Sequence, residues 1–268
     1  MIEINKELCI GCGRCVYDCF PGAMTMEDGK ATLSQPGNCL GCGHCIAICP
    51  RNAVTDPELE EAAPVGTKCD GKTLLGAMQS RRSCRHYTQE PVDEADLNML
   101  LDAARACPTA KNLQGTRYIS VTKAIPELLD AAISMLSSMG KAQLETASDP
   151  AELRRANNFV RWAELRQQDR TFDPLFFHAP QLLIFVSGKA DVRDAAAAAA
   201  YTELMAYQLG LGCIYSGYFT ACCDLSAKLK DLLGIQKSER VVRCLVLGHP
   251  DVKFQRTAPR KSPNITYL

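Results

Sequence analysis

The chain has no excess charge of either sign: 30 Lys and Arg balance 30 Asp and Glu over 268 residues. That balance excludes a general nucleic-acid binder, whose footprint is a strongly basic domain or stripe. Long hydrophobic runs are also missing. No apolar stretch approaches the roughly 20 residues of a membrane span. The alanine run at 195–200 is too weakly hydrophobic for one and reads as part of a helix. No secretory leader is legible, and no GxGxxG fingerprint of a dinucleotide-binding βαβ unit. None of the four histidines marks an obligatory acid or base; His86, His178 and His249 read as structural.

What the chain has in excess is cysteine, 15 in all. Cys9, Cys12, Cys15 and Cys19 are spaced C-x2-C-x2-C-x3-C, and Cys39, Cys42, Cys45 and Cys49 repeat that spacing thirty residues later. Four thiolates are the ligand demand of a [4Fe–4S] cluster, and in the bacterial two-cluster pattern the fourth cysteine of each run crosses to the other cluster. The expected sets are Cys9, Cys12, Cys15 with Cys49, and Cys39, Cys42, Cys45 with Cys19. Structural zinc would use paired CxxC motifs and leave the third and fourth cysteines of each run unexplained. Disulfides belong to oxidising compartments, which nothing else in the chain suggests.

The residues between the cysteines suit such a core. Gly11, Gly13, Gly41 and Gly43 let backbone wrap closely around it. Pro50 follows Cys49 directly, whereas Phe20 intervenes before Pro21 in the first copy. His44 lies within the second run, where it could tune a cluster by hydrogen bonding. Short strands are expected at 2–4, 23–26, 31–33 and 53–55. Residues 1–60 thus resemble a bacterial two-cluster ferredoxin, whose halves are related by pseudo-twofold symmetry.

A proline-, glycine- and glutamate-rich stretch follows, giving a linker at 61–71 and a second domain at 72–268. Charge is divided between the parts: residues 1–60 hold four Lys/Arg against eight Asp/Glu, and the remainder 26 against 22. Cys69, Cys84, Cys107, Cys213, Cys222, Cys223 and Cys244 stand outside the runs. Free thiols in that number fit a reducing cytoplasm, and most are expected to be small buried hydrophobes. Cys84, between Ser83 and Arg85, is the one whose thiol nearby cations could activate, although no resolving cysteine or catalytic histidine accompanies it.

In the second domain, Leu74, Leu75 and Met78 share a face of a short helix. Asp93 is an expected N-cap for a helix over 94–106, with Leu97, Leu100, Leu101 and Ala104 as its buried stripe and Pro108 beyond its end. Further helices are expected at 125–139, 151–168, 194–209 and 224–233, and strands at 118–121, 181–187 and 241–247. The class is α+β: a small two-cluster domain followed by a helix-rich domain with a modest central sheet.

Four separated pieces carry polar chemistry. Arg81-Arg82-Ser83-Cys84-Arg85 offers guanidinium forks that match phosphate oxygens. Pro108-Thr-Ala-Lys-Asn-Leu-Gln114 supplies amides, and Leu209-Gly-Leu-Gly-Cys-Ile-Tyr-Ser-Gly-Tyr218 reads as a glycine-rich loop after a helix. Arg256, Arg260 and Lys261 add positive charge near the C-terminal end. In this order, with Leu247-Gly-His-Pro250, they resemble the FMN-dependent nitroreductase family over about residues 72–268. The whole chain looks like a ferredoxin–nitroreductase fusion.

That resemblance implies specific roles. Arg81, Arg82, Ser83 and Arg85 match the segment that binds the flavin phosphate and ring edge. Pro108, Thr109, Ala110, Asn112 and Gln114 match a loop that the family supplies from the other subunit, and Ser216, Gly217 and Tyr218 one whose backbone faces the reactive flavin edge. Arg256 or Arg260 would complete the phosphate site. The family's dimer, with FMN at the subunit interface, is the expected assembly. The implied activity carries electrons from reduced ferredoxin or NAD(P)H through two [4Fe–4S] clusters and FMN to a small organic acceptor such as a nitroaromatic, quinone or enone. Two alternatives stand beside it: an electron-transfer relay with no small-molecule substrate, and an NAD(P)H:flavin reductase. No nucleic-acid or membrane partner is expected.

Overall fold

The computed structural model describes residues 1–188 and 191–268. They form two compact units: Met1–Lys68 with Thr109–Gln114, and Cys69–Pro108 with Gly115–Leu268.

The first unit contains β1 (Glu3–Ile4), α1 (Arg14–Tyr17), β2 (Met24–Glu27), β3 (Lys30–Leu33), α2 (His44–Ala47) and β4 (Val54–Thr55). Two antiparallel ribbons, β1 with β4 and β2 with β3, hold the two halves. The β2–β3 hairpin turns at Asp28-Gly29, both at positive φ (48° and 73°), the arrangement a two-residue type I′ turn demands. Its core is small, with Cys15, Met24 and Ala31 buried and Ile4, Leu33 and Ile48 packed around them.

The second unit runs through α3 (Gly71–Ser80), α4 (Glu94–Arg105), β5 (Thr116–Val121), α5 (Ile125–Thr146), α6 (Pro150–Gln168), β6 (Gln181–Ser187), α7 (Val192–Gln208), β7 (Gly212–Tyr215), α8 (Gly217–Leu225), α9 (Ala227–Leu233) and β8 (Arg240–Gly248). Its sheet has the order β5-β6-β8-β7, every neighbouring pair antiparallel. Strand β6 is buried at every residue. Leu182, Ile184 and Val186 face a core shared with α5, α6, α8 and α9, whereas Leu183 and Phe185 face one shared with α4 and α7. Because both faces are covered, the five residues Leu182–Val186 are all apolar and show a continuous run rather than an alternation, with the buried polar Gln181 and Ser187 at the strand's ends.

Helix starts follow local chemistry. The Asp70 carboxylate accepts from Lys72 N and Thr73 N at 2.9 and 3.2 Å, Asp149 caps α6, Asp191 caps α7 and Ser226 caps α9. Asp93 holds the N-cap position of α4 with an extended backbone, but its side chain makes no capping hydrogen bond.

Three elements differ from expectation. Helix α5 continues past Gly140 to Thr146, because this glycine passes α6 rather than ending a helix: a Cβ there would lie 2.6 Å from the Ala156 carbonyl oxygen. The glycine-rich stretch after α7 is a strand and a helix start, β7 and α8, and not a loop. The helix expected over 224–233 is two helices meeting at Ser226, which ends α8 and caps α9. Among the described residues, no helix is long and apolar enough to cross a membrane.

Candidate cofactor sites

In the first unit, each cysteine run bends into a short helix through a left-handed glycine, Gly13 at φ 70° before α1 and Gly43 at φ 75° before α2. These turns gather the thiols around two separate cavities. One is lined by Cys9, Cys12, Cys15 and Cys49, the other by Cys19, Cys39, Cys42 and Cys45. The fourth cysteine of each run therefore lines the cavity of the other run. Backbone amides anchor those two sulfurs symmetrically: Ala23 N donates to Cys19 Sγ and Ala53 N to Cys49 Sγ, each at 3.3 Å. Among the described residues, no group of three or more His, Cys, Asp or Glu closes on a single-ion site. Four thiols around a cavity are a donor set suited to a polynuclear cluster. The His44 ring meets Asp18 Oδ2 at 2.9 Å, which ties the two runs together at the surface.

The second unit places residues 81–88 as an extended strap. Cys84 N donates to Cys213 O at 3.0 Å, Thr88 N to His249 O at 2.9 Å, and Asp251 N to His86 O at 2.9 Å. Successive side chains of extended backbone point to opposite sides, so Arg82 and Cys84 line one cleft while Arg81, Ser83 and Arg85 do not. The cleft, about 430 Å³, is closed by Tyr207, by Gly210–Gly212, by Pro250 and by residues 252–257, including Lys253, Phe254 and Arg256. Arg82, Lys253 and Arg256 have no ion-pair partner among the described residues.

The other expected site residues have separate surroundings. Arg81 pairs with Glu203 at 2.7 Å. Ser83 bridges to Cys213 of β7, and Arg85 is exposed. Ser216 is buried at the start of α8; its amide donates to Cys244 O at 2.9 Å and its carbonyl accepts from Thr220. Gly217 opens α8, and Tyr218 packs edge-on against Phe159 and Trp162 at ring-centroid distances of 5.1 and 5.9 Å. Arg260 is exposed and lies outside the cleft. Pro108 belongs to the second unit and Thr109, Ala110, Asn112 and Gln114 to the first. Lys253 and Phe254 were not expected from sequence; their nearness to Arg256 along the chain was the available signal.

The remaining thiols are mostly packing atoms. Burial pushes the Cys222 thiol up to about 12 and raises those of Cys213, Cys223 and Cys244. Six of the seven are buried, as expected of most, and Cys69 is exposed. Cys84 is buried, donates to His86 O at 3.1 Å and presses on Gly212, where a Cβ would fall 2.8 Å from its sulfur. Reactive thiols are accessible, so this packing opposes a redox role for Cys84.

Comparison with known proteins now decides the family. The nitroreductase family profile matches residues 78–249. The chain belongs to the nitroreductase family. A 4Fe-4S dicluster domain matches residues 8–53 of this nitroreductase-family oxidoreductase, so the chain is a fusion of the two. Its fold is shared with a BluB-like flavoprotein from Clostridium difficile 630, at 17% identity over 73% of this chain and 96% of that one, TM-score 0.55. An FMN-dependent nitroreductase from Clostridium difficile R20291 is 18% identical over 74% of this chain and all of its own, TM-score 0.54. A nitroreductase with bound FMN from Bacteroides fragilis NCTC 9343 is 20% identical over 73% of this chain and 98% of its own, TM-score 0.53. No match was found among curated proteins.

Proposed function

We propose that this nitroreductase-family chain takes electrons from a low-potential donor, reduced ferredoxin or NAD(P)H. It passes them through two [4Fe–4S] clusters and FMN to a small organic acceptor such as a nitroaromatic, quinone or enone. The observation that carries the reading is the pair of four-thiol cavities, one crossed cysteine in each, in a chain whose other unit is of the nitroreductase family. Cys9, Cys12, Cys15 and Cys49 would hold one cluster, and Cys19, Cys39, Cys42 and Cys45 the other.

FMN is supported by its presence in the Bacteroides fragilis structure of like fold, and the cleft's donor set fits its phosphate. Arg82, Lys253 and Arg256 present three cations without acidic partners among the described residues, beside the rings of Tyr207 and Phe254. Guanidinium forks match phosphate oxygens, and an ammonium adds a point charge. When bound, FMN supplies the exchange between single electrons and hydride. This chain's residues would bind and orient it: the three cations at the phosphate, and the backbone from Ser216 to Tyr218 at the reactive edge. The family's usual assembly supports a homodimer, and the thiols outside the runs support a reducing cytoplasm.

Anaerobic addition of reduced ferredoxin and of NADH or NADPH, separately, to the purified protein tests the reading. Bleaching of flavin and cluster bands by at least one donor, reversed by an organic acceptor, is expected. Protein that purifies with neither iron nor flavin after anaerobic preparation would refute it.

A further inference from the structure

The two cysteine runs are near-copies, yet the charges around them are not. Residues 1–60 carry four cations, Lys6, Arg14, Lys30 and Arg51. All four gather at the cavity of Cys9, Cys12, Cys15 and Cys49. Arg14 and Arg51 line it. The Lys30 ammonium donates to the Cys9 carbonyl at 2.5 Å, and Lys6 Nζ donates at 2.6 Å to the carbonyl of Ala31, another lining residue. Lys6 is held a second time by Thr32 Oγ1, also at 2.6 Å.

The cavity of Cys19, Cys39, Cys42 and Cys45 is lined by no lysine or arginine among the described residues. Where the first run opens α1 with Arg14, the second opens α2 with His44, whose ring meets the Asp18 carboxylate at 2.9 Å. Ile2, Pro21, Ala23, Met24, Leu33 and Leu40 give this cavity an apolar wall. The four cations of the first cavity differ in weight. Arg14, Arg51 and Lys6 are exposed, where solvent screens a charge strongly. Lys30 is half-buried and fixed by its hydrogen bond, so it acts most strongly. Backbone hydrogen bonds from Ala31 and Gly11, and then the charges of Lys30 and Lys6, favour the thiolate form of Cys9, the form that ligates metal.

We propose that Lys30, together with Lys6, Arg14 and Arg51, raises the reduction potential of the cluster held by Cys9, Cys12, Cys15 and Cys49 above that of its twin. The proposal rests on the cluster reading given above. Reduction adds negative charge to a core that four thiolates already make anionic, and net charge is among the factors that set the potential. Nearby cations stabilise the reduced form more than the oxidised one. An apolar wall does the reverse, because burial disfavours the more highly charged state. An electron that reaches either centre therefore comes to rest on the first cluster, and only a second electron occupies the other.

The test is an EPR-monitored redox titration of the full chain, prepared anaerobically. Cys12→Ser and Cys42→Ser, titrated in parallel, identify which signal belongs to which cluster. In the wild type, the signal sensitive to Cys12→Ser should titrate at the higher potential. Lys30→Gln should lower that midpoint by about 59 mV, a tenfold change in a one-electron equilibrium, and leave the other cluster unmoved. Lys30→Arg, which keeps the charge, should stay near the wild type. Arg51→Gln, an exposed change, should lower the same midpoint by less, and it decides the matter if Lys30→Gln unsettles the β2–β3 hairpin. Coincident midpoints in the wild type, or a higher midpoint for the signal sensitive to Cys42→Ser, would overturn the proposal. So would equal movement of both clusters in Lys30→Gln, or equal lowering by Lys30→Gln and Lys30→Arg. Wild-type protein lacking any cluster signal would bring down the cluster reading, and the proposal with it.

Discussion

Arg81 and Glu203 form an ion pair at 2.7 Å with side chains only 25% and 12% exposed, joining the strap after α3 to helix α7. This contact commits the Arg81 guanidinium to the fold, whereas Arg82 and Arg85 form no ion pair among the described residues. The adjacent arginines should therefore answer mutation differently. Hydrogen bonds to charged groups contribute about 1.5–3 kcal/mol. Arg82→Ala should weaken FMN binding by roughly tenfold to a hundredfold, at 1.4 kcal/mol per decade, with little change in melting temperature. Arg81→Ala should chiefly lower the melting temperature. Flavin titration and thermal melts of both variants check this, and equal flavin affinity in wild type and Arg82→Ala would remove the cleft from consideration.

The proposed crossed ligation predicts which cluster is damaged. Cys19 lies in the first run but lines the cavity of Cys39, Cys42 and Cys45. Cys19→Ser should perturb the EPR signal that Cys42→Ser perturbs and spare the one sensitive to Cys12→Ser. The opposite pairing would mean uncrossed clusters.

Gly140 illustrates a glycine whose replacement carries two opposed effects. Alanine in a helix interior is favoured over glycine by about 1 kcal/mol. Its Cβ, however, would stand 2.6 Å from the Ala156 carbonyl oxygen and 3.0 Å from Phe159 Cβ. Overpacking costs roughly 1–3 kcal/mol, and the obstacle here is backbone, which cannot swing aside. Gly140→Ala should lower the denaturation midpoint; a rise would show that α5 and α6 can part freely.

Acid stability should depend on Glu239. Arg117 donates to both its carboxylate oxygens, at 2.9 and 2.7 Å, and holds the carboxyl below its usual 4.5. A lowered folded-state value gives stability that is fully present above the unfolded value near 4.5 and lost as pH falls through the lowered one. Glu239→Gln should therefore reduce stability at neutral pH and flatten its fall in acid. Urea melts between pH 7 and pH 3 measure both limbs.

The cysteine spacing already indicated which thiols of the first unit would gather around which cavity, because that grouping follows from their order along the chain. Strand β6 was equally legible, because burial on both faces writes itself as an unbroken apolar run. Strand β7 was hidden: Gly212 looks like a loop signal, but it is there so that backbone can pass Cys84. The helix expected over 125–139 runs on to Thr146, through Gly140, where α6 packs across it. Local pattern could not reveal that Arg81 meets a carboxylate 122 positions away. Nor could composition show that alternation along the strap sends only Arg82 of the three arginines into the cleft.

Trp162 is the chain's single tryptophan, and it touches Phe159 on its own helix and Tyr218 at the start of α8. Its emission is therefore a reporter of one seam in the second unit. Loosening α6 from α8 would redden and dim that emission. Visible absorbance from iron–sulfur centres would follow the other unit. A single cuvette, read at two wavelengths during one melt, can thus tell whether the two halves of this polypeptide come apart together or in turn.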